Sequence, residues 1–374
     1  MKSIKKVLII STEFPPGPGG IGNHAWNLSR NINTNSPVHV ITVSDYVDKL
    51  ECSAFDKKEQ MYIYRFNRYK LSIITFAIRL YDILRHLIKH RYSHCILSGR
   101  FALYMSSIIR LFTFEIKLIG IVHGSELLPS TKTSKLLLVM SLKTLNTVVS
   151  VSKYTDSLIP DNSIDKSIRF VIPNGVNTEL FIKTKFKRTV NMIGHPCLLT
   201  VGSITHRKGQ INLVKSLPLI IEQYPKVHYH CIGLPLEKAE LLNTSKQLGV
   251  EKHLTLHGYL PNNLLNEMYR QSDILIMLSQ NEALSDVEGF GIVILEANLC
   301  GVSAIGSKGT GMEDAIVHNE TGLLIDPYEE HEILQAIDHI LNKKEMFLNN
   351  TVEWAKTHNW KNITSKYLEV IENA

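Results

Sequence analysis

The sequence predicts an α/β protein made of two doubly wound halves, each a parallel sheet with crossover helices. Three observations lead there. Short aliphatic runs of strand length alternate with helix-length segments, the rhythm of βαβ units. The rhythm breaks once, over the polar and basic interval Lys183–Asn191, and then restarts. Glycine-rich or charged segments directly follow several of the runs, where open parallel sheets hold their ligands. A chain of 374 residues is long enough for two full cores.

In chain order, Val7 to Ile10 reads as a buried strand, the Pro/Gly-rich segment Phe14 to Gly22 as a loop, and Asn23 to Asn31 as a helix. Val38 to Val43, His94 to Leu97, Lys117 to Val122, Thr147 to Ser152 and Phe170 to Ile172 are expected strands, with a helix over Phe101 to Phe112. Near-continuous aliphatic runs suit strands covered on both faces. Tyr69 to Tyr92 spaces Leu71, Ile74, Ile78, Tyr81, Leu84 and Ile88 by three or four, interleaved with Lys70, Arg79, Arg85, Lys89 and Arg91. That is an amphipathic helix, either packed on the core or lying in a membrane interface. The second half repeats the plan. Pro196 to Val201 is a strand, Gln210 to Gln223 a helix, and Val227 to Ile232, Leu254 to His257, Ile274 to Leu278 and Ser303 to Ile305 are later strands. The expected domains are 1–185 and 190–355, followed by a tail, 356–374, with Trp360 just before the last helix.

With 44% hydrophobic and 20% charged residues, wholesale disorder is excluded. Five cysteines without a Cys-x-x-Cys argue against a disulfide framework and a structural zinc site. The basic start, Met1 to Lys6, precedes only Val7 to Ile10 before Ser11, too short an apolar run for a signal peptide. No stretch of about 18 apolar residues occurs, so no membrane-spanning helix is expected. A cytoplasmic protein, soluble or peripheral on the inner membrane face, is the expectation. Residues 1–185 hold 25 Lys and Arg against 13 Asp and Glu, whereas residues 186–374 hold 16 against 22. A basic amino half suits an anionic partner. Nucleic acid is not expected, because no nucleic-acid motif is present; an anionic membrane surface is.

Asp286-Val287-Glu288-Gly289-Phe290-Gly291-Ile292 opens an apolar run that reaches Glu296 and Ala297. A polar loop feeding a helix start leaves free N–H groups for an anion, and Gly289 and Gly291 allow close approach. The two glutamates, with seven residues between them, suit hydroxyls better than phosphates. A site for a phosphate and several hydroxyls suits a sugar nucleotide. Alone, such a pair would read as a first-turn carboxylate and a solvated face.

The flanking residues decide. Glu288 to Ala297 resembles the signature of the retaining family-four glycosyltransferases, at both glutamates, Gly289, Gly291 and the aliphatic positions. The prefix Asp286-Val287 resembles the phosphatidylinositol mannoside mannosyltransferases and leans toward GDP-mannose. The resemblance implies the GT-B fold, two Rossmann-like domains facing across a cleft, with the tail crossing back to the first.

Other motifs fit that family. Pro15 to Gly22 resembles its glycine-rich loop, with Gly19 and Gly20 against the donor and Asn23 and His24 toward the acceptor; its spacing excludes the dinucleotide fingerprint. His123-Gly124-Ser125-Glu126 matches the histidine placed near the transferring sugar. In Val201-Gly202-Ser203-Ile204-Thr205-His206-Arg207-Lys208-Gly209, Lys208 and Gly209 match the diphosphate-binding loop, while Ser203 stands where arginine is usual, so that either Arg207 supplies the missing charge or diphosphate binding is weaker than usual. Gly233, and Gly258 with Tyr259, bracket the nucleobase by resemblance. Val151 to Tyr154, Pro173 to Asn177 and Ser307 to Asp314 fix register or line the site without a chemical role.

The resemblance thus implies a retaining hexosyltransferase using GDP-mannose or a UDP-sugar on a lipid-linked or growing surface glycan. Glu288 would hold donor-sugar hydroxyls and Glu296 the ribose, while Arg207, Lys208 and the N–H groups near Phe290, Gly291 and Ile292 stabilise the leaving diphosphate. No Asp-x-Asp occurs, so no metal and no cofactor are expected. The runners-up are a sugar-nucleotide epimerase of the same fold and a non-catalytic nucleotide-sugar-binding scaffold, toward which Ser203 points. A dehydrogenase ranks last, for want of the fingerprint.

Overall fold

The structure, a computed structural model, describes residues 6–17, 19–43, 47–67, 72–183, 188–281 and 286–374. The chain forms two compact units, Met1–Asn174 with Trp360–Ala374, and Gly175–Asn359.

The first unit runs β1 (Val7–Ser11), α1 (Gly20–Asn33), β2 (Val38–Val43), α2 (Lys49–Asp56), β3 (Tyr62–Phe66), α3 (Ser72–Lys89) and β4 (His94–Ser98). It continues α4 (Arg100–Phe112), β5 (Lys117–Val122), α5 (Lys132–Lys143), β6 (Thr147–Ser150), α6 (Lys153–Ser157) and β7 (Arg169–Val171). Its strands form a parallel sheet in the order β3-β2-β1-β4-β5-β6-β7. The aliphatic run of β1 is buried throughout, as both faces are covered. On one face α3, α4 and α5 bury Ile83, Leu87, Leu103, Ile109, Leu138 and Leu142 in a cluster with sheet residues such as Leu8 and Leu97. Burial of this kind stabilises by about 1.5–3 kcal/mol per large apolar side chain.

The order reverses between β1 and β4, whose ends Ser11 and Ser98 are in register. That reversal opens a crevice at the carboxyl ends of the strands. Helix α1 starts at Gly20 rather than Asn23. Its first turn closes from Asn23 N to Gly19 O at 3.1 Å, which draws the expected loop glycines into the helix. A Cβ on Gly22 would stand 3.0 Å from Phe14 N, so the tight return from β1 needs glycine there.

The amphipathic segment forms α3, with residues 68–71 outside the described set. Its inward stripe is Ile83 and Leu87 with Leu80 and Leu84 beside them, whereas Ile74, Tyr81 and Ile88 are exposed. Of the six apolar residues expected to share one face, Leu84 turns inward and these three turn out.

The second unit comprises β8 (Cys197–Val201), α7 (Gln210–Gln223), β9 (His228–Ile232), α8 (Lys238–Gln247), β10 (Leu254–Gly258), α9 (Asn262–Gln271) and β11 (Ile274–Met277). There follow α10 (Ile292–Leu299), β12 (Ser303–Ser307), β13 (Gly322–Ile325), α11 (Glu330–Asn342) and α12 (Lys344–Thr357). Its parallel sheet has the order β10-β9-β8-β11-β12-β13, reversing between β8 and β11. The last helix, α13 (Trp360–Glu372), belongs to the first unit and packs on α1.

The boundary falls at Gly175, ahead of the expected linker. Phe181 is buried against Tyr269, with ring centroids 5.9 Å apart, and Asn266 Nδ2 donates to Leu180 O at 2.9 Å. Downstream, Thr189 N donates to Glu267 Oε2 at 2.8 Å. Residues 184–187 of that linker lie outside the described set. No helix among the described residues is long and apolar enough to cross a membrane.

Candidate functional site

In the second unit the site begins where β8 ends. Thr205 accepts from Lys208 N and shapes a single helical turn, His206–Lys208, that Gly209 terminates at φ 69°. Only glycine fits there, since a Cβ would lie 1.8 Å from Leu278 O. The turn is held against the end of β11 by Gln280 N donating to Arg207 O at 2.8 Å. Arg207 and Lys208 thereby leave the sheet at its switch point.

Both cations reach Glu288. Arg207 Nη1 lies 3.0 Å from Glu288 Oε2, and Lys208 Nζ donates to the same oxygen. Arg207 Nε pairs with Asp286 Oδ2 at 2.6 Å, and Ser279 Oγ approaches Glu288 Oε2 at 3.4 Å. Burial alone would raise the Glu288 pKa, but Lys208 and Arg207 overcome it and hold the carboxyl at about 2. Sequence reasoning gave the glutamate to hydroxyls and the cations to phosphates; the structure joins them in one buried ion cluster. Asp286 and Ser279 were missed as members, although Asp286 stood in the quoted motif.

Glu288 is held by its backbone as well. Gly311 N donates to Glu288 O at 2.9 Å, and a Cβ on Gly311 would stand 2.0 Å from Gly289 O. Phe290 is buried, and Gly291, at φ 88°, precedes α10 without a side-chain cap. The N–H groups opening α10 at Ile292 and beyond therefore form an electropositive end. One turn further on, Glu296 accepts from Tyr269 Oη at 2.8 Å. Burial raises the Glu296 pKa to about 7, with the Tyr269 hydroxyl opposing. Tyr269 carried no signal in the sequence.

The remaining predicted residues lie at neighbouring strand ends. Gly202 N donates to Ile232 O at 2.8 Å and Gly233 N to Gly258 O at 2.9 Å. A Cβ on Gly233 would come within 2.1 Å of Gly202 O, so β8, β9 and β10 close up at their carboxyl edge only with glycine. Gln210 Nε2 braces Ser203 O at 3.1 Å, and Tyr259 is exposed.

In the first unit Gly19 sits over Glu13, whose Oε2 would be 2.1 Å from a Cβ at that position. Burial raises the Glu13 pKa. Gly20 and Asn23 are exposed on α1. His24, expected beside the acceptor, is instead wholly buried, with Nε2 3.1 Å from Tyr367 Oη on α13. Its ring packs edge-on against Trp360 and against His123, with centroids 5.3 and 5.1 Å away. His123 is half-buried after β5 and shares a hydrogen bond with Ser98 Oγ at 2.9 Å through Nε2. Burial depresses the pKa of both imidazoles, His123 to about 4. Ser98 and Tyr367 were not legible as partners. Gly19, Gly20, Asn23 and His123 thus gather around β1, β4 and β5, and the charged residues around β8, β11 and α10.

Comparisons with known proteins give the family and the fold. A model of glycosyltransferase family 4 matches residues 18–180, and one of glycosyl transferases group 1 matches residues 182–358. The GDP-mannose-dependent alpha-(1-6)-phosphatidylinositol monomannoside mannosyltransferase of Mycolicibacterium smegmatis is 23% identical over 90% of this chain and 89% of its own. A GDP-mannose-dependent mannosyltransferase of Corynebacterium glutamicum that acts on the monoacylated monomannoside is 23% identical, over 91% of this chain and 90% of its own. The crystal structure of Anabaena HepE with UDP and glucose superposes with a TM-score of 0.79 at 18% identity, over 99% of this chain and 100% of that one. That likeness is one of fold.

Proposed function

The chain belongs to the family-four glycosyltransferases, and we propose that it moves a hexose from a nucleoside diphosphate sugar to a lipid-linked or growing surface glycan with retention of configuration. One observation carries the reading. Arg207 and Lys208 converge on Glu288 beside the uncapped start of α10, at the carboxyl edge of the second sheet. Two oriented cations and a helix start suit a diphosphate; the adjacent carboxylates suit hydroxyls.

In this reading Glu288 Oε2 anchors the cations while Oε1 accepts from hydroxyls of the donor sugar. Arg207 offers five N–H donors and Lys208 three, more than Glu288 and Asp286 consume, so the same groups also serve phosphate oxygens. As the bond from the anomeric carbon to the phosphate oxygen breaks, its electron pair stays on the diphosphate. Arg207, Lys208 and the N–H groups of α10 stabilise that charge without a metal. The acceptor oxygen bonds to the same face of the anomeric carbon and its proton passes to the leaving phosphate. His123, neutral at pH 7, supports the reacting sugar, and Asn23 meets the acceptor. Glu296 receives the ribose hydroxyls. The relatives named for GDP-mannose and the Asp286-Val287 prefix favour that donor, with UDP-hexoses next.

Melting temperatures with GDP, UDP and their sugars in chelator test this on wild type and Glu296→Ala. One nucleotide series should raise the melting temperature, by less in the variant, because a ligand of the native state alone must stabilise it. No rise with any donor sinks the reading. Proton NMR of the product then reports whether the anomer is retained.

A further inference from the structure

Arg65 belongs to the edge strand β3, yet its side chain is only 10% exposed. Its guanidinium meets Asp56 as a fork, with Nε donating to Oδ2 at 2.8 Å and Nη2 to Oδ1 at 2.7 Å. The same group reaches the ends of the next two strands. Nη2 donates to Pro15 O at 2.5 Å, past the end of β1, and Nη1 to Val43 O at 3.4 Å, at the end of β2. The cation also stands over the Phe14 ring, 5.8 Å from its centroid. Phe14 in turn meets Phe55 of α2 edge-on at 6.4 Å, and Phe55 packs on Trp26 of α1 at 5.8 Å.

What Arg65 grips is the return from β1 into α1. Glu13, two residues before Pro15, lies under Gly19, and its carboxylate accepts from Gly22 N. A shift of Pro15 would therefore be carried to the start of α1, where Gly19 and Gly20 meet the donor in the transferase reading. The residue types fit a clamp. Asp56 closes α2, where the helix dipole disfavours an acid, and the last turn of α2 has no basic residue. The arginine that it orients explains an acid at that place. Lysine could not replace the arginine, because only a planar fork serves a carboxylate and a carbonyl together.

We propose that Arg65, oriented by Asp56, is a positioning residue for the transfer reaction. It fixes Phe14 and Pro15, and through them the glycine-rich start of α1, acting through the loop rather than on donor or acceptor. The chemical half of this inference rests on the transferase reading, whereas the geometric half is measurable without substrate. A cavity of about 420 Å³ lined by Lys49, Cys52, Asp56, Lys57, Tyr62 and Arg65 leads to the guanidinium, so a small cation can enter once the side chain is removed.

Hydrogen exchange on the full chain tests the geometry at the amides of Gly22 and Asn23, which are bonded to Glu13 and Gly19. Arg65→Lys and Asp56→Asn should each speed that exchange at least about tenfold and leave the amides of β4, β5 and β6 unchanged. Nucleoside diphosphate released from GDP-mannose or UDP-glucose, whichever raises the melting temperature more, tests the chemistry with water in place of the acceptor. Well below melting, Arg65→Ala should lower that turnover on the order of 100-fold and keep the nucleotide-induced melting shift. Methylguanidinium should restore part of the turnover, and methylammonium should not. Wild-type exchange in Arg65→Lys and Asp56→Asn overturns the proposal. So does Arg65→Ala that melts lower but turns over like wild type, since the arginine would then serve stability alone. Equal rescue by the two cations also overturns it, because charge rather than the fork would be responsible. If neither sugar nucleotide shifts the melting temperature, the transferase reading falls and the exchange result alone decides the clamp.

Discussion

The two sheets share one construction and end in opposite chemistry. At the carboxyl edge of the first, His24 and His123 are held neutral by burial, with Tyr367 and Ser98 as partners. At the corresponding edge of the second, Arg207 and Lys208 pair with the buried Glu288 and hold its carboxyl ionised, with the half-exposed Asp286 on Arg207 as well. Burial acts on both edges, and the outcome depends on whether an opposite charge lies in reach. In the proposed reading the neutral imidazole would serve the sugar and the fixed pair of cations the diphosphate.

The largest test of that contrast removes the carboxylate. Glu288→Ala would strand Lys208 without its carboxylate and leave Arg207 only Asp286, and should cost about 3–5 kcal/mol of stability in calorimetry. Glu288→Ala paired with Lys208→Met should recover part of that loss. Full stability in Glu288→Ala alone would mean the cluster is solvated rather than buried.

Acid should separate the units next. The folded chain keeps His123 neutral down to about pH 4, while the unfolded chain protonates it near 6.5. Stability from this group is complete above pH 6.5 and is lost as the pH falls toward 4, by up to roughly 3 kcal/mol. His123→Asn should flatten that slope in melting curves between pH 4.5 and 7.

Glu296 should give a slope of similar size and opposite sign. Its folded carboxyl keeps a proton up to about pH 7, whereas the unfolded one releases it near 4.5. It therefore costs stability progressively as the pH rises from 4.5 to 7, on the order of 3 kcal/mol. Glu296→Gln should melt higher than wild type at pH 7.5 and alike at pH 4.5. If hydroxyl donors bind the ionised form, donor affinity in wild type should also rise between pH 6 and 8; a flat profile would remove Glu296 from the ribose.

The aliphatic strands and the break between halves were legible because buried parallel strands announce themselves by composition alone. The edge strand β3 was not, since Tyr62-Ile63-Tyr64-Arg65-Phe66 is half polar and partly exposed. Nor was the start of α1, where glycines that read as loop enter a helix whose first turn is fixed by packing on Phe14. At the site, residue identities and local spacing were legible while partners were not. Tyr269 gave no sign of meeting Glu296, and His24 read as facing the acceptor although Tyr367 and Trp360 cover it.

By itself the sequence determined the period of the elements, the halves and their charge, and which chemical groups stand near strand ends. Only the tertiary structure decided that Lys208 meets Glu288 across 80 residues. It also set one glutamate of the motif at a pKa of about 2 and the other at about 7. The reason is physical. Local pattern fixes backbone hydrogen bonding and which side of an element is apolar. Ionisation depends on the depth of burial and on charges within a few ångströms, which the order and register of distant strands bring together.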